Sequence, residues 1–337
     1  MNLRRALVLA GLLMSCREPP PPPERTPFSV ALVLPGPVDD HGWSEAGYRG
    51  LLRIRDELGA RIAFVAGVGE GDRGRMTEVF RGLALEGHDL ILGHGGEYIP
   101  ALEVVAREFP HTQFAAVAAY AGNNRNLGGL SFREGELGYL CGVVAALKTR
   151  SRKVAFVGGQ AYPHVREQAV LFERGAKAMN PAISVQTAWL DTWTDTERAR
   201  SVAASLIRSG ADVLLVDADL AAAGAFDAVR SAGVFAIGWA SDQAALAPGH
   251  IITSGIQHVE PLLVAAAERV QAGVWEGRQY KFGLREQAQE LADFRGMLTP
   301  EQEAVVARVQ EDVLTGRVDT SPEPGSLPGK SPPPAAP

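Results

Sequence analysis

Two adjacent acids and an indole fall together in PGPVDDHGWSEAGYRG, residues 35–50, directly after the apolar run FSVALVL. Asp40 and Trp43, with Gly42 leaving room between them and Ser44 adding a hydroxyl, are suited to binding rather than bond-breaking. A carboxylate accepts N–H groups, and an indole face stacks on a flat ring with about 0.5–1.5 kcal/mol beyond the area it buries. The pairing recurs: Tyr98, Tyr120, Tyr162, Trp193 and Trp239 each stand at or just after an apolar run, with Glu97, Asp217 and Asp242 close by. Capping of a core explains any one such ring equally well, whereas six at equivalent places favour a site. His41 and His94 occupy the same kind of loop and are secondary hydrogen-bonding candidates.

Catalytic chemistry finds little support. The chain has no G-x-S-x-G elbow, no Walker A segment and no H-E-x-x-H. The glycine-rich stretches GHGGEY (93–98) and VGGQAYPH (157–164) lack G-x-G-x-x-G spacing and read as tight turns. No two histidines stand four apart, so neither a metal nor another cofactor is expected. Cys141, in GELGYLCGVVAAL, reads as a packed core thiol. The formal charge of −6 without a basic cluster argues against a nucleic-acid partner. The expectation is a binding protein, not an enzyme.

The elements that must hold these residues alternate along the chain. Continuous apolar strands are expected at 29–34, 61–67, 89–95, 113–120, 153–159, 183–190, 212–218, 235–240 and 250–256, with helices such as 43–58, 72–86, 98–108, 133–148, 163–179, 195–209 and 258–273 between them. Strand, helix, strand with unbroken apolar strands means parallel sheets covered on both faces. The two halves look alike, which predicts two Rossmann-like lobes with a solute between their strand carboxyl ends.

Segments outside the fold are equally marked. MNLRRALVLAGLLMSC has a basic start, a short apolar run and a small residue before Cys16, the pattern of a bacterial lipoprotein leader. Residues 1–15 are expected to be removed and Cys16 to carry lipid, so that the protein is exported and held on a cell membrane or outer membrane. Residues 16–27 are a proline-rich tether and 319–337 a proline-rich tail too poor in apolar residues to fold.

DDHGWSEAGYRG, GHGGEYIPALEVVAREFPHTQFAAV, GGLSFREGELGYLCGVVAALKT, FERGAKAMNPAISV, TWTDTERARSVAASLIRSGADVLLV and AIGWASDQ, read in order, resemble the basic membrane protein family, the substrate-binding lipoproteins of bacterial nucleoside and purine ABC importers. The most specific blocks are E-x-x-Y-L-x-G (Glu136 to Gly142) and G-W-x-S-D-Q (Gly238 to Gln243). The resemblance implies a type I periplasmic-binding-protein fold of α/β class, with crossovers near 123–128, 254–258 and 280–285. Lobe 1 would hold 28–125 plus 257–282, and lobe 2 would hold 126–256 plus 283–318. It also implies a monomer that hands a purine-like small molecule to an ABC permease and its ATPase.

Three departures from the family pattern bear on the ligand. Ser44 stands where the family has Asn, Ala118 to Tyr120 replace an aspartate after the fourth strand, and Ala240 replaces another in the G-W-x-S-D-Q block. Two missing acceptors disfavour a ribose, unless Asp242 and Asn123 substitute, and point to a free base or a similar flat heterocycle. The alternative carried alongside is a ligand-sensing lipoprotein receptor that partners a membrane signalling protein.

Overall fold

A computed structural model of the chain describes residues 27–39, 43–69 and 73–322. The leader, Cys16, most of the tether, Asp40, His41, Gly42 and the tail beyond 322 lie outside the described residues. Two six-stranded sheets form the frame. The first holds β1 (Ser29–Val33), β2 (Arg61–Val65), β3 (Leu90–Gly93), β4 (Gln113–Val117), β5 (Leu127–Phe132) and β11 (Gln279–Phe282), in the order β11-β5-β4-β3-β1-β2. The second holds β6 (Lys153–Gly158), β7 (Ser184–Trp189), β8 (Val213–Asp217), β9 (Phe235–Ala240), β10 (Ile251–Gln257) and β12 (Gln289–Leu291), in the order β12-β10-β9-β8-β6-β7.

The unbroken apolar strands are explained by burial on both faces. In β1, Val30 and Leu32 face α1 (Trp43–Leu58) and α8 (Glu260–Gln271), while Ala31 and Val33 face α2 (Arg73–Leu85) and α3 (Ile99–Glu108). In β6, Val154 and Phe156 face α4 (Glu134–Lys148), α5 (Pro163–Met179) and α9 (Pro300–Leu314). Ala155 and Val157 face α6 (Thr196–Arg208) and α7 (Ala222–Ala232). These central strands are thus sandwiched, and the two-residue period shows only in which core each side chain joins, whereas the edge strands β2 and β7 are exposed or half-buried.

Two expectations need correction. Residues 127–132, assigned from sequence to the second lobe, are β5 and pair with β4 and β11 in the first sheet, so the first passage falls at Arg133, not at 123–128. Asn123 instead closes the turn before β5, its Oδ1 accepting from the backbone nitrogens of Arg125, Asn126 and Leu127. Nor is the second sheet wholly parallel: β12 runs antiparallel to β10, with Gln257 opposite Gln289. The direction follows from the path. β5, β10 and β11 all leave their sheets at their carboxyl ends, and β12 re-enters the second sheet from that same side, so it runs the other way. The other two passages span 258–259 and 283–288.

The passages are stitched together. Arg133 pairs with Glu286 at 2.5 Å, Glu286 accepts from the Gly283 nitrogen at 2.8 Å, and Glu136 accepts from the Leu284 nitrogen at 2.8 Å. Residues 319–322, expected in the tail, lie against α5, where the Arg174 guanidinium donates to the carbonyls of Asp319 and Ser321. Cys141 is fully buried in the second lobe, and burial raises its thiol pKa, in keeping with a core role.

Candidate functional site

Trp43 opens α1 above the carboxyl ends of β1 and β3. Its indole stacks on the His94 imidazole at 4.0 Å and 15°, and its Nε1 donates to the His94 carbonyl at 3.0 Å. His94 Nε2 donates in return to the Trp43 carbonyl at 2.7 Å, which requires the proton on Nε2 because a carbonyl can only accept. Gly47 on α1 makes this possible, since a Cβ there would strike the imidazole. His94 is fully buried, yet Trp43 is 43% exposed. One face of the indole is therefore held by the protein and the other is open.

The second lobe answers with its own apolar rim. Tyr162, before α5, is 48% exposed and lies 6.3 Å from the half-buried Trp193 and 6.0 Å from His164. Trp193 lies flat over Gly159, where any Cβ would meet its ring. Leu220, after β8, is exposed and adjoins Ala221, whose nitrogen donates to the Trp193 carbonyl. Of the eight large apolar side chains exposed among the described residues, Trp43, Tyr162, Leu220 and Leu246 follow the carboxyl ends of β1, β6, β8 and β9. Leu220 escaped notice in the sequence because an isolated leucine in an alanine-rich stretch carries no signal.

Several sequence candidates lie elsewhere. Trp239 is a core residue, 3% exposed: it shares the α4/α5 face of β9 with Ile237 and covers Gly255. Tyr120 turns onto α3, where its hydroxyl donates to Glu103 at 3.0 Å; burial and that contact push its pKa up to about 12. Ser44 is buried, and its Oγ accepts from the Gly36 nitrogen, tying the loop to the helix. Asp242 pairs with Arg295 and accepts from the Ala244 nitrogen. Glu97 is half-buried and folds back over Gly95. A concavity of about 680 Å³ in the second lobe is lined by Tyr139 of α4, Arg174 and Lys177 of α5, and Val318, and holds none of the sequence candidates.

Asp217 is where sequence and structure meet most informatively. As the last residue of β8 it points to the α4/α5 side, joining a buried acidic group that the sequence did not suggest. Glu134, the first residue of α4, accepts from Gln168 Nε2 at 3.0 Å and from Gln257 Nε2 at 2.8 Å. Glu167 accepts from the Gly135 nitrogen at 3.2 Å and lies 3.7 Å from Lys281. Burial, with neighbouring carboxylates adding to it, pushes Glu134 up to about 8, and burial pushes Asp217 up to about 7.

Carboxyls raised in the fold bind protons more tightly there than in the unfolded chain. Their stabilisation is complete in acid and is lost as pH rises through the folded values. The exposed carboxylates with depressed pKa, such as Asp56 and Glu108, titrate below the ordinary carboxylate range. His88 and His164, lowered by burial, oppose the acids only below about pH 6.5. Between about pH 6.5 and 8.5 the ligand-free protein is therefore expected to lose roughly 2 kcal/mol, a fall of about 4 °C in midpoint. Scanning calorimetry across that window checks it, and Asp217→Asn should flatten the slope and raise the midpoint at pH 8.

The family model described as ABC transporter substrate-binding protein, PnrA-like, matches residues 28–319. A purine-binding protein of Brucella abortus (strain 2308) is 26% identical over 300 residues, covering 86% of this chain and 84% of that protein. The transcriptional activator protein med of Bacillus subtilis (strain 168) is 26% identical over 291 residues, covering 85% and 90%. Among solved structures, a transcriptional activator of the comK gene from Bacillus halodurans superposes with a TM-score of 0.73 at 26% identity, over 86% of this chain and 99% of that one. A solute-binding protein of an ABC transporter system from Aeropyrum pernix K1 superposes with a TM-score of 0.70 at 22% identity, over 89% and 95%, and shares the fold.

Proposed function

This chain belongs to the family of PnrA-like ABC transporter substrate-binding proteins, and from that premise we propose that it captures a flat heterocycle, a purine base or a similar ring, between its two lobes. Proteins of this family work outside the cytoplasm with a permease and an ATPase. The observation that carries the ligand reading is the half-covered indole: Trp43 is backed by His94 on one face and open on the other, and Tyr162 and Trp193 follow strand carboxyl ends of the second lobe. A ring held against such a platform gains both burial and stacking.

The relative named for purine binding agrees with a ring-shaped solute. Ala240 sits at the exposed end of β9 with a positive φ of 69°, and its side chain supplies no acceptor for a sugar. With Asn123 and Asp242 each engaged within their own lobe, a free base fits better than its nucleoside. The leader reads as an anchor through lipid on Cys16, which palmitate labelling of that residue checks.

The test is a thermal-shift screen of the protein from residue 25 against purine bases, nucleosides, pyrimidines, thiamine and sugars. A ligand at 100 times its dissociation constant adds about 2.7 kcal/mol, a rise of roughly 5 °C. Bases are expected to give such a rise and sugars none. A response to sugars alone, or to no compound at all, would overturn the reading.

A further inference from the structure

Three acids are buried together where α4, α5 and β8 meet. Glu134, Glu167 and Asp217 are each at most 9% exposed and converge from α4, α5 and β8. Asp219 adds a fourth carboxyl near Asp217. Lys281 on β11 faces Glu167. Among the described residues no Lys or Arg pairs with Glu134 or Asp217. A buried carboxylate without a counter-charge is strongly disfavoured, so in the empty protein these two are held as acids.

A second observation points outward. Gln168 is 1% exposed, its amide nitrogen donates to Glu134, and its amide group also lies within reach of Asp217. Its Oε1 is fully buried and accepts from none of the described residues. Once Glu134 and Asp217 ionise, the group therefore offers several acceptors and lacks donors. Its position suits a solute: Asp217 ends β8 just before the exposed Leu220, Gln257 ends β10 at the second passage, and Glu134 follows the first.

We infer that Glu134, Asp217 and Gln168 form the floor of the solute site and receive a cationic nitrogen head, an amidinium or protonated amine, carried by the flat solute. The inference rests on the heterocycle reading and narrows it: the ring would lie on Trp43 and the cation would supply the charge and donors missing below. Binding would then displace the protons these acids hold. Affinity for a cation would rise with pH through the range in which Asp217 and Glu134 ionise, with Glu167, Asp219 and Lys281 as the other charged groups facing them.

Benzamidine and benzamide are a flat cation and its neutral counterpart, and calorimetric titration of both at pH 8 tests this. Benzamidine is expected to bind at least about tenfold more tightly. Asp217→Asn and Glu134→Gln, made separately so that one failing to fold does not silence the test, should each bring the ratio to within about threefold. Lowering the pH to 5.5 should do the same to the unaltered protein. Equal affinity at pH 8, including no detectable binding of either compound, overturns the assignment, as does a ratio that survives both substitutions. If adenine raises the midpoint while benzamidine shows no preference, the cationic floor fails and the heterocycle reading stands. If nothing in the wider screen binds, it is the heterocycle reading that fails.

Discussion

Replacing Trp43 with alanine is expected to weaken binding of any ring-shaped solute by at least about 30-fold, because a central aromatic anchor contributes about 2 kcal/mol or more. The ligand-free fold should suffer much less. The substitution removes one stacked contact with His94 and one hydrogen bond to a backbone carbonyl, together about 1–2 kcal/mol, or roughly 2–4 °C. Trp43→Phe keeps a ring without the N–H and should fall between the two. Titration calorimetry paired with thermal unfolding separates the quantities. Unchanged affinity, or an unfolding midpoint lower by much more than this, would show that the indole serves packing alone.

The second large effect concerns stability. Gly142→Val is expected to yield no folded protein, and Gly142→Ala to cost about 2–4 kcal/mol. Helices α4 and α5 touch backbone to backbone at three glycines. A Cβ on Gly142 would strike the Phe172 carbonyl, one on Gly175 the Tyr139 carbonyl, and one on Gly138 the Gln168 carbonyl. No flexible side chain can yield at these points, so the helices would have to part across the core that holds Leu140, Val144, Phe156 and Phe172. Gly82→Ala on α2 is the control: nothing lies within 4 Å of its Cβ position, and the change should be neutral or stabilising by up to about 1 kcal/mol. Equal behaviour of the two substitutions in thermal unfolding would refute the packing account.

That contact explains why E-x-x-Y-L-x-G is so recognisable. Glu136 ties the third passage, Tyr139 lends its backbone to Gly175, and Gly142 admits Phe172. The block specifies how the second lobe is built, not what it holds. The strands legible from sequence were those with unbroken apolar runs. β5, LGGLSF, is missing from the expected strands because its two glycines break the apolar run, yet they admit close neighbours: Gly128 faces Trp275 and the Arg278 carbonyl, and Gly129 faces the Tyr120 backbone. α9 carried a readable signature in TPEQ, since Thr299 and Gln302 form a reciprocal capping box.

The candidate site was legible only in part. Trp43 stood out because a large ring in a polar loop has few structural reasons to be there. Trp239 misled because strand-end position alone does not tell which face of the sheet a side chain takes. Glu134, Glu167 and Gln168 went unread because acids and amides at helical starts ordinarily face water. Only the meeting of α4, α5 and β8 buries them together.

All three passages between lobes leave from the same margin of each sheet, β11 and β5 on one side and β10 and β12 on the other. The molecule is built like a book, with its spine there and its free edges at β2 and β7. Distance from the spine is then leverage. β1 lies three strands from β5, and β6 three strands from β10, about 14 Å in each case at the usual strand spacing. A rotation of about 10° about the spine would carry Trp43 or Tyr162 by roughly 2.5 Å at that spacing. Gln257 and Glu134, at the binding, would hardly move. The stacking rings ride on the covers while Glu134 and Gln257 sit in the gutter, so a solute reaching both would be gripped at its far end only after its near end had been seated.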